Sequence, residues 1–406
     1  MSPCEGIAIS QDVLETVLRQ HLQQRDLVRL HIGWRFTGLT VDEHAGTCTS
    51  LIADRGGETR QIRSRFVVGA DGWRSDVRTL AGIGVEGRPD LGRMRSVRFS
   101  GELSRWLGNP PPAFVRLTGS GAALLATHAD GRWVLILPHG RDSEPEEPGA
   151  FVAKALAVDA SVTVLEDTTW TAAVQQATRF GQGNVLLVGD AAHRVTPAGA
   201  TGITSGMADA ANIAWKLAAT LQGWGGPQLV PSYAQEREPV AEWIGAANLR
   251  MWTDAQDGTQ TPIELRWLEF GYRYRSAVID PVPPDTDNID LASTFTPRAQ
   301  PGDRAPHARL ADGRSTIDLS GHDFTLLTTD NPAEWTPAVA RARTNRRPPL
   351  TLVSDSGGDV RAAFRLRAGE AVLIRPDGHI AWRSDTPAHP DHTTTVEAAI
   401  ARATGW

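Results

Sequence analysis

Two aspartates stand at the ends of short apolar runs, and their surroundings could do chemistry. Phe66-Val67-Val68 runs into Gly69-Ala70-Asp71-Gly72, and Val185-Leu186-Leu187-Val188-Gly189 runs into Asp190. A strand ending in an acid places a carboxylate in the crevice at the carboxyl edge of a sheet, where α/β proteins bind ligands. There the carboxylate accepts hydrogen bonds from sugar-like hydroxyls. For Asp71-Gly72 taken alone, an ordinary turn is the competing reading. Asp190 is followed by a loop of small residues from Pro197 through Gly202, Ile203 and Thr204 to Gly206. Small residues let backbone N–H groups approach a flat or anionic ligand, and a helix start aims its positive dipole end at the same place.

These residues need a frame. A helix starting near Gly206 and running to about Leu221 would bury Met207, Ala210, Ala211, Ala214, Leu217, Ala218 and Leu221 as one stripe. Upstream, Ser10 is a helix cap, and a helix over 11–24 would bury Val13, Leu14, Val17, Leu18 and Leu22. Residues 28–32, 36–41, 48–53 and 59–62 read as strands, the last two forming a hairpin around Arg55-Gly56-Gly57-Glu58. A short helix follows Ser75 and stops at Gly82. Between the two acids, residues 95–103, 113–118, 122–128 and 132–138 read as strands, with Phe99, Trp106, Phe114, Trp133 and Trp170 as candidates for an aromatic surface, although for any single one an ordinary core position is the favoured reading. Residues 229–252 predict one or two helices and 265–277 another. The Pro-rich run beginning at Val282 reads as a linker.

Composition narrows the classes. The 406 residues are 41% hydrophobic and 22% charged with a net charge of −6, so a globular chain is expected and a nucleic-acid partner is not. Two cysteines, Cys4 and Cys48, exclude a disulfide framework and a four-thiolate zinc site. His389-Pro390-Asp391-His392 reads as a polar loop, and no metal is expected. No run reaches the roughly 18 apolar residues of a membrane span, and the first residues lack signal-peptide features, so a cytoplasmic protein without a membrane partner is expected. Lys154 and Lys216 are the only lysines among 41 cationic residues, a bias that codon usage in a GC-rich genome explains.

The motifs together resemble the para-hydroxybenzoate hydroxylase superfamily of single-component FAD monooxygenases. Gly69 to Arg78 resembles that family's Asp-Gly motif, which touches FAD and the nicotinamide donor. Asn184 to His193 resembles its Gly-Asp motif, whose acid holds the FAD ribitol. Pro197 to Gly206 matches the loop beside the flavin ring, and Asp209 to Leu217 the helix after it. Gln11, with Leu14 and Glu15, matches a helix whose glutamine lies near FAD in relatives. Pro301 to His307, Asp318 to Leu327 and Val372 to Arg383 resemble the thioredoxin-like tail of phenol hydroxylase and the aromatic polyketide hydroxylases. No Cys-x-x-Cys occurs, so the tail is expected to pack or dimerise rather than do dithiol chemistry. The sequence departs from the pattern at Ala200 and Thr204, where the loop commonly has glycine and asparagine, and it lacks the opening Gly-x-Gly-x-x-Gly unit.

The resemblance implies an α/β fold. An incomplete FAD-binding Rossmann-like domain (1–87 and 184–282) carries an inserted β-sheet substrate layer (88–183). A linker (283–300) and a thioredoxin-like domain (301–406), removable without unfolding the flavin motifs, follow. Cofactor-binding candidates are Gln11, Asp71, Gly72, Asp190, Pro197, Gly202, Ile203 and Thr204. No catalytic base is assigned, and His193 is read as structural. The implied activity is hydroxylation of an aromatic polyketide or phenol. NADPH or NADH would reduce FAD and O2 would add at flavin carbon 4a, with a homodimer as a candidate assembly. The alternatives are a non-catalytic binding homologue with weakened flavin affinity, and a fragment set by a misplaced start.

Overall fold

Val185, Leu186 and Leu187 are all buried, which is the continuous apolar pattern of a parallel strand covered on both faces. In a computed structural model, strand Val185–Leu187 lies parallel to strand Val67–Gly69, with Val185 opposite Val67 and Leu187 opposite Gly69. Gly69 has to be glycine, because a Cβ there would stand 2.9 Å from the Val77 side chain. Val77 belongs to helix Asp76–Leu80, whose N-cap Ser75 accepts the Arg78 N–H. The structure describes residues 2–4, 9–128, 131–140, 146–259, 262–282, 289–329, 331–346, 348–384 and 392–406.

The segment between the acids folds as expected. Strands Arg93–Gly101, Phe114–Leu117, Ala122–His128, Arg132–Pro138 and Val162–Thr171 form one antiparallel five-stranded sheet. Helix Pro148–Leu156 covers one face, burying Val97, Phe99, Leu124, Trp133 and Leu135 in a core of their own. Phe99 and Trp133 therefore face that core and not a ligand.

Helix Gly202–Gln222 starts four residues earlier than the sequence suggests, and its inward face is the opposite one. Asp209, Asn212 and Lys216 are fully buried, together with Ser205, Ile213 and Ala219. Met207 and Leu221 are 46% and 53% exposed, and Ala210, Ala211, Ala214 and Ala218 are exposed beside them. The inversion has an electrostatic cause. The neighbouring helix Ser232–Gln256 presents buried Glu236 and Arg237, and buried charges are tolerated only when paired.

In the C-terminal part, strands Phe324–Thr328 and Leu350–Ser354 are parallel, and Ala371–Ile374 and Ile380–Arg383 complete the sheet as an antiparallel hairpin. This part shares a core with the rest. Trp215, Ala219, Trp224, Val240 and Ile244 pack in one cluster with Phe324, Leu326, Trp335, Trp382 and Ile400. A tail that buries the side chains of two other helices is not a removable appendage.

Other expectations also change. Helix Gln11–Gln23 has no buried residue, and Val17, Leu18 and Leu22 stay exposed. Residues 28–32 form no strand, and Ile32 is 81% exposed. The helix expected over 265–277 ends at Phe270. Within the expected linker, residues 283–288 lie outside the described residues. From 289 onward the chain is tied down: Phe295 and Ala299 are buried, Phe295 meets the Trp267 ring edge-on at 4.9 Å, and the Trp267 indole N–H donates to the Ser293 carbonyl. His389, Pro390 and Asp391 also lie outside the described residues. Among the described residues no group of His, Cys, Asp and Glu is placed to hold a metal. No described helix is long and apolar enough to cross a membrane.

Candidate cofactor-binding site

The parallel pairing of the two strands sets Asp71 and Asp190 at the same sheet edge. The Val188 N–H donates to the Gly69 carbonyl at 3.0 Å, so the pairing continues to the strand tips. Arg78 closes the gap beyond them, donating to the carbonyls of Ala191 and Trp73, both at 2.9 Å. The two carboxylates are used differently. Asp71 caps the short helix, accepting from the Ser75 hydroxyl and from the Val77 N–H at 3.0 Å. Asp190 is exposed at the tip. Gly72, at φ +79°, makes the turn after Asp71 that a side chain would strain.

Asp209 holds the second tip in place from below. It accepts the Gly189 N–H at 2.9 Å, the His193 ring at 2.7 Å and the Arg237 Nε at 2.6 Å. Burial alone would raise its pKa. The Arg237 guanidinium and the His193 bond outweigh burial and lower it. His193 is buried and stacked on Phe180, in keeping with a structural role.

The loop after the tip is clamped by Asn248. Its side-chain oxygen accepts the Thr196 N–H at 2.9 Å, and its amide donates to the Ala198 carbonyl. The Ala200 N–H then closes a turn onto the Pro197 carbonyl at 3.1 Å. Gly199 and Ala200 both have positive φ, +82° and +52°, so the turn keeps a left-handed residue where the sequence has alanine in place of glycine. Helix Gly202–Gln222 begins immediately afterwards. Its first internal bond runs from the Ser205 N–H to the Thr201 carbonyl at 2.9 Å, so the N–H groups of Gly202, Ile203 and Thr204 precede the intrahelical ladder. The buried Thr201 hydroxyl beside them has no hydrogen-bond partner among the described residues. Gly206 lets this helix approach the tip closely, since a Cβ there would be 3.2 Å from the Gly189 Cα.

Among the described residues no hydrogen bond brings Gln11 to this site. Its amide donates to Glu15 of its own exposed helix at 2.8 Å, and the adjacent Asp12 pairs with Arg98 and Arg132 of the five-stranded sheet. Trp170 is half-buried on the sheet face away from helix Pro148–Leu156, with its indole N–H on the Ser96 hydroxyl at 2.7 Å. It lines an open cavity with Asp90, Arg93, Thr169 and Thr171. Trp106 and Phe114 are exposed.

The chain as a whole resembles known proteins. The FAD binding domain model matches residues 1–246, and the model of the aromatic-ring hydroxylase C-terminal domain matches residues 298–406. The chain belongs to the FAD-binding aromatic-ring hydroxylases. Tetracenomycin A2 monooxygenase-dioxygenase of Streptomyces glaucescens is 30% identical over 100% of this chain and 78% of its own length. Aklavinone 12-hydroxylase RdmE of Streptomyces purpurascens is 30% identical over 99% of this chain and 79% of its own. A crystal structure of aklavinone-11 hydroxylase with FAD and aklavinone superposes with a TM-score of 0.82 at 29% identity, covering 100% of this chain and 80% of that one. PieE in complex with FAD and substrate gives 0.84 at 27% identity, covering 97% and 79%.

The chain is an FAD-dependent aromatic monooxygenase by this kinship, and the described residues fit a flavin. The uncapped N–H groups and the unpartnered Thr201 hydroxyl sit together at a helix start, and Asp190 is an exposed acceptor at the adjoining tip. Asp209, Arg237 and Asn248, which organise the loop, were not legible as site residues. For Asp209 the signal is polar spacing at 209, 212 and 216 along a helix whose alanines suggest the opposite inward face; Arg237 and Asn248 lie on helix Ser232–Gln256 and carry no such signal.

Proposed function

We propose that this hydroxylase transfers one oxygen atom of O2 to an electron-rich ring of a polycyclic, polyketide-type phenol, with FAD held at the paired strand tips. The observation that carries the reading is the parallel pairing of Val67–Gly69 with Val185–Leu187, which puts Asp190 beside the uncapped start of helix Gly202–Gln222. Asp190 would accept from the ribitol hydroxyls. The N–H groups of Gly202, Ile203 and Thr204 would face the negative charge that reduced flavin carries, with Pro197 shaping their loop. Asp71 and Gly72 would act by shaping the first tip, since the Asp71 carboxylate already caps a helix. Gln11 would contribute only from the sheet side. FAD supplies the oxygen-activating chemistry when bound, and NADPH or NADH supplies its electrons. The sheet face bearing Ser96 and Trp170 would exclude water above the ring.

The parallel pair Phe324–Thr328 and Leu350–Ser354 followed by the antiparallel hairpin supports reading the C-terminal part as a thioredoxin-like unit with a packing role. Relatives named as monooxygenases and hydroxylases support catalysis over a purely binding role. The test is FAD titration of the purified chain, followed by flavin fluorescence. Asp190→Ala is expected to weaken FAD at least tenfold, and an unchanged titration would overturn the placement of the flavin at this tip.

A further inference from the structure

A cavity of about 210 Å³ lies where three distant segments meet. Thr204, Ala208 and Ala211 of helix Gly202–Gln222 form one wall, Phe270 and Tyr272 a second, and Arg304 and His379 of the C-terminal part a third. His379 is 5% exposed, and neither of its ring nitrogens has a hydrogen-bond partner among the described residues. The Asp377 Oδ1 lies 3.8 Å from the His379 Nδ1, beyond hydrogen-bond distance. Burial lowers His379 to about 4, so at neutral pH the ring offers one N–H and one bare nitrogen. A buried polar group left unpaired costs free energy, and such a group in a native fold calls for an explanation.

Arg304, on the same cavity wall, is a half-buried cation. Burial lowers its pKa, and no carboxylate among the described residues pairs with it. Its guanidinium stacks on Phe270 at 4.9 Å. The two acids on the cavity wall do not serve it. Asp377 is taken up by Arg375, which donates Nε to its Oδ1 at 3.0 Å and a second N–H to its Oδ2. Burial raises the Glu269 carboxyl above its ordinary value, and it makes no ion pair with Arg304. The remaining surface is aromatic: Tyr274 stacks on His379 at 4.1 Å and Tyr272 lies 5.8 Å from it.

An unpaired cation, an unpaired neutral imidazole and flat aromatic walls define one ligand chemistry. We propose that this cavity, which adjoins the flavin loop at Thr204 but is otherwise lined by residues away from the strand tips, is a second binding site for a single-ring aromatic carboxylate. The carboxylate would pair with Arg304 in a charge-assisted bond, a ring substituent would meet His379, and the ring would lie against Tyr272 and Phe270. The size agrees, since an apolar cavity near 150 Å³ holds benzene and this one adds room for a polar group.

The test uses the full chain and calorimetry with benzoate as the probe. The expected result is one benzoate per chain, bound at least tenfold more tightly than benzyl alcohol or inorganic phosphate. Arg304→Gln should weaken benzoate at least tenfold without changing FAD affinity. Ala208→Leu fills the cavity from the helix side without touching the charges, and should give the same loss. Benzoate binding that survives both variants lies elsewhere and overturns the proposal, as does absence of benzoate binding at 10-millimolar concentration (roughly ΔG of −3 kcal/mol). Equal affinity for phosphate would remove the aromatic part of the assignment and overturn it too.

Discussion

Arg375 and Glu236 meet as a two-pronged pair, with Nη1 to Oε1 at 2.7 Å and Nη2 to Oε2 at 2.8 Å, although 139 residues separate them in sequence. Both side chains are fully buried. Glu236 also accepts from Lys216 at 2.8 Å, Asn212 at 2.6 Å and Ser276 at 2.7 Å, so both carboxylate oxygens are saturated. Burial pulls Lys216 down to about 8, but Glu236 opposes that and the ammonium stays charged at neutral pH. Two cations, Lys216 and Arg375, thus meet two anions, Glu236 and Asp377. The pairs link the helix that starts at the flavin loop to the C-terminal sheet.

Glu236→Gln should be strongly destabilising. It leaves two buried cations with one carboxylate between them, and breaking a buried pair from one side typically costs about 3–5 kcal/mol. Urea denaturation should show a midpoint shift of that size with an unchanged slope. Exposed Glu15→Gln, which removes a surface pair with Arg19, is the control and should shift it little. Equal effects from the two variants would show that the buried network contributes nothing special.

Removal of residues 300–406 should abolish cooperative unfolding of what remains. The cut exposes Trp215, Trp224 and Ile244 of the shared core and strands Lys216 and Glu236 without Arg375. The measurement is near-UV circular dichroism of the shortened chain during a thermal scan. A sharp transition resembling that of the intact chain would restore the view of an independent tail.

Acid should destabilise the protein before its carboxylates titrate. His379 has a folded pKa of about 4, below its ordinary 6.5, so the unfolded chain binds the extra proton first. Stability from keeping this ring neutral is complete above about pH 6.5 and is lost as pH falls towards 4. Asp377 pulls the value up, while Arg375 and Arg304 push it down along with burial. Melting temperatures of the wild type should therefore fall between pH 6.5 and 4, and those of His379→Phe should fall less. Parallel curves for the two proteins would assign the acid sensitivity to other groups.

The sequence was legible where a local pattern carries its own partner. Both acid-tipped strands, the hairpin at 48–62 and four strands of the five-stranded sheet follow from alternation and turn residues, whereas strand Val162–Thr171 and the long-range pairing of Val67–Gly69 with Val185–Leu187 carry no such local signal. The face of helix Gly202–Gln222 was not legible in that way. Its alanines suggest an apolar inward stripe, and only the placement of Glu236, Arg237 and Arg375 makes Asp209, Asn212 and Lys216 the buried side. The burial within residues 289–300 is not legible for a related reason. A polar, proline-bearing run carries no local sign that Phe295 and Ala299 will be covered by distant rings and strands.

Asn248 offers the sharpest separation of loop shape from overall stability. Its side chain bonds the Thr196 N–H and the Ala198 carbonyl, on either side of Pro197 and just ahead of the helix start. Asn248→Ala leaves the Thr196 N–H buried without its acceptor, a loss of about 1–3 kcal/mol. The loop can recover part of that by turning outward to water, which moves the N–H groups of Gly202 to Thr204 away from their aligned positions. FAD affinity should therefore fall at least tenfold while the urea midpoint moves only modestly. Asn248→Asp keeps the acceptor for Thr196 but sets a carboxylate against the Ala198 carbonyl, so it should rescue little. A variant that loses stability without losing FAD would make Asn248 a core residue and free the loop from its control.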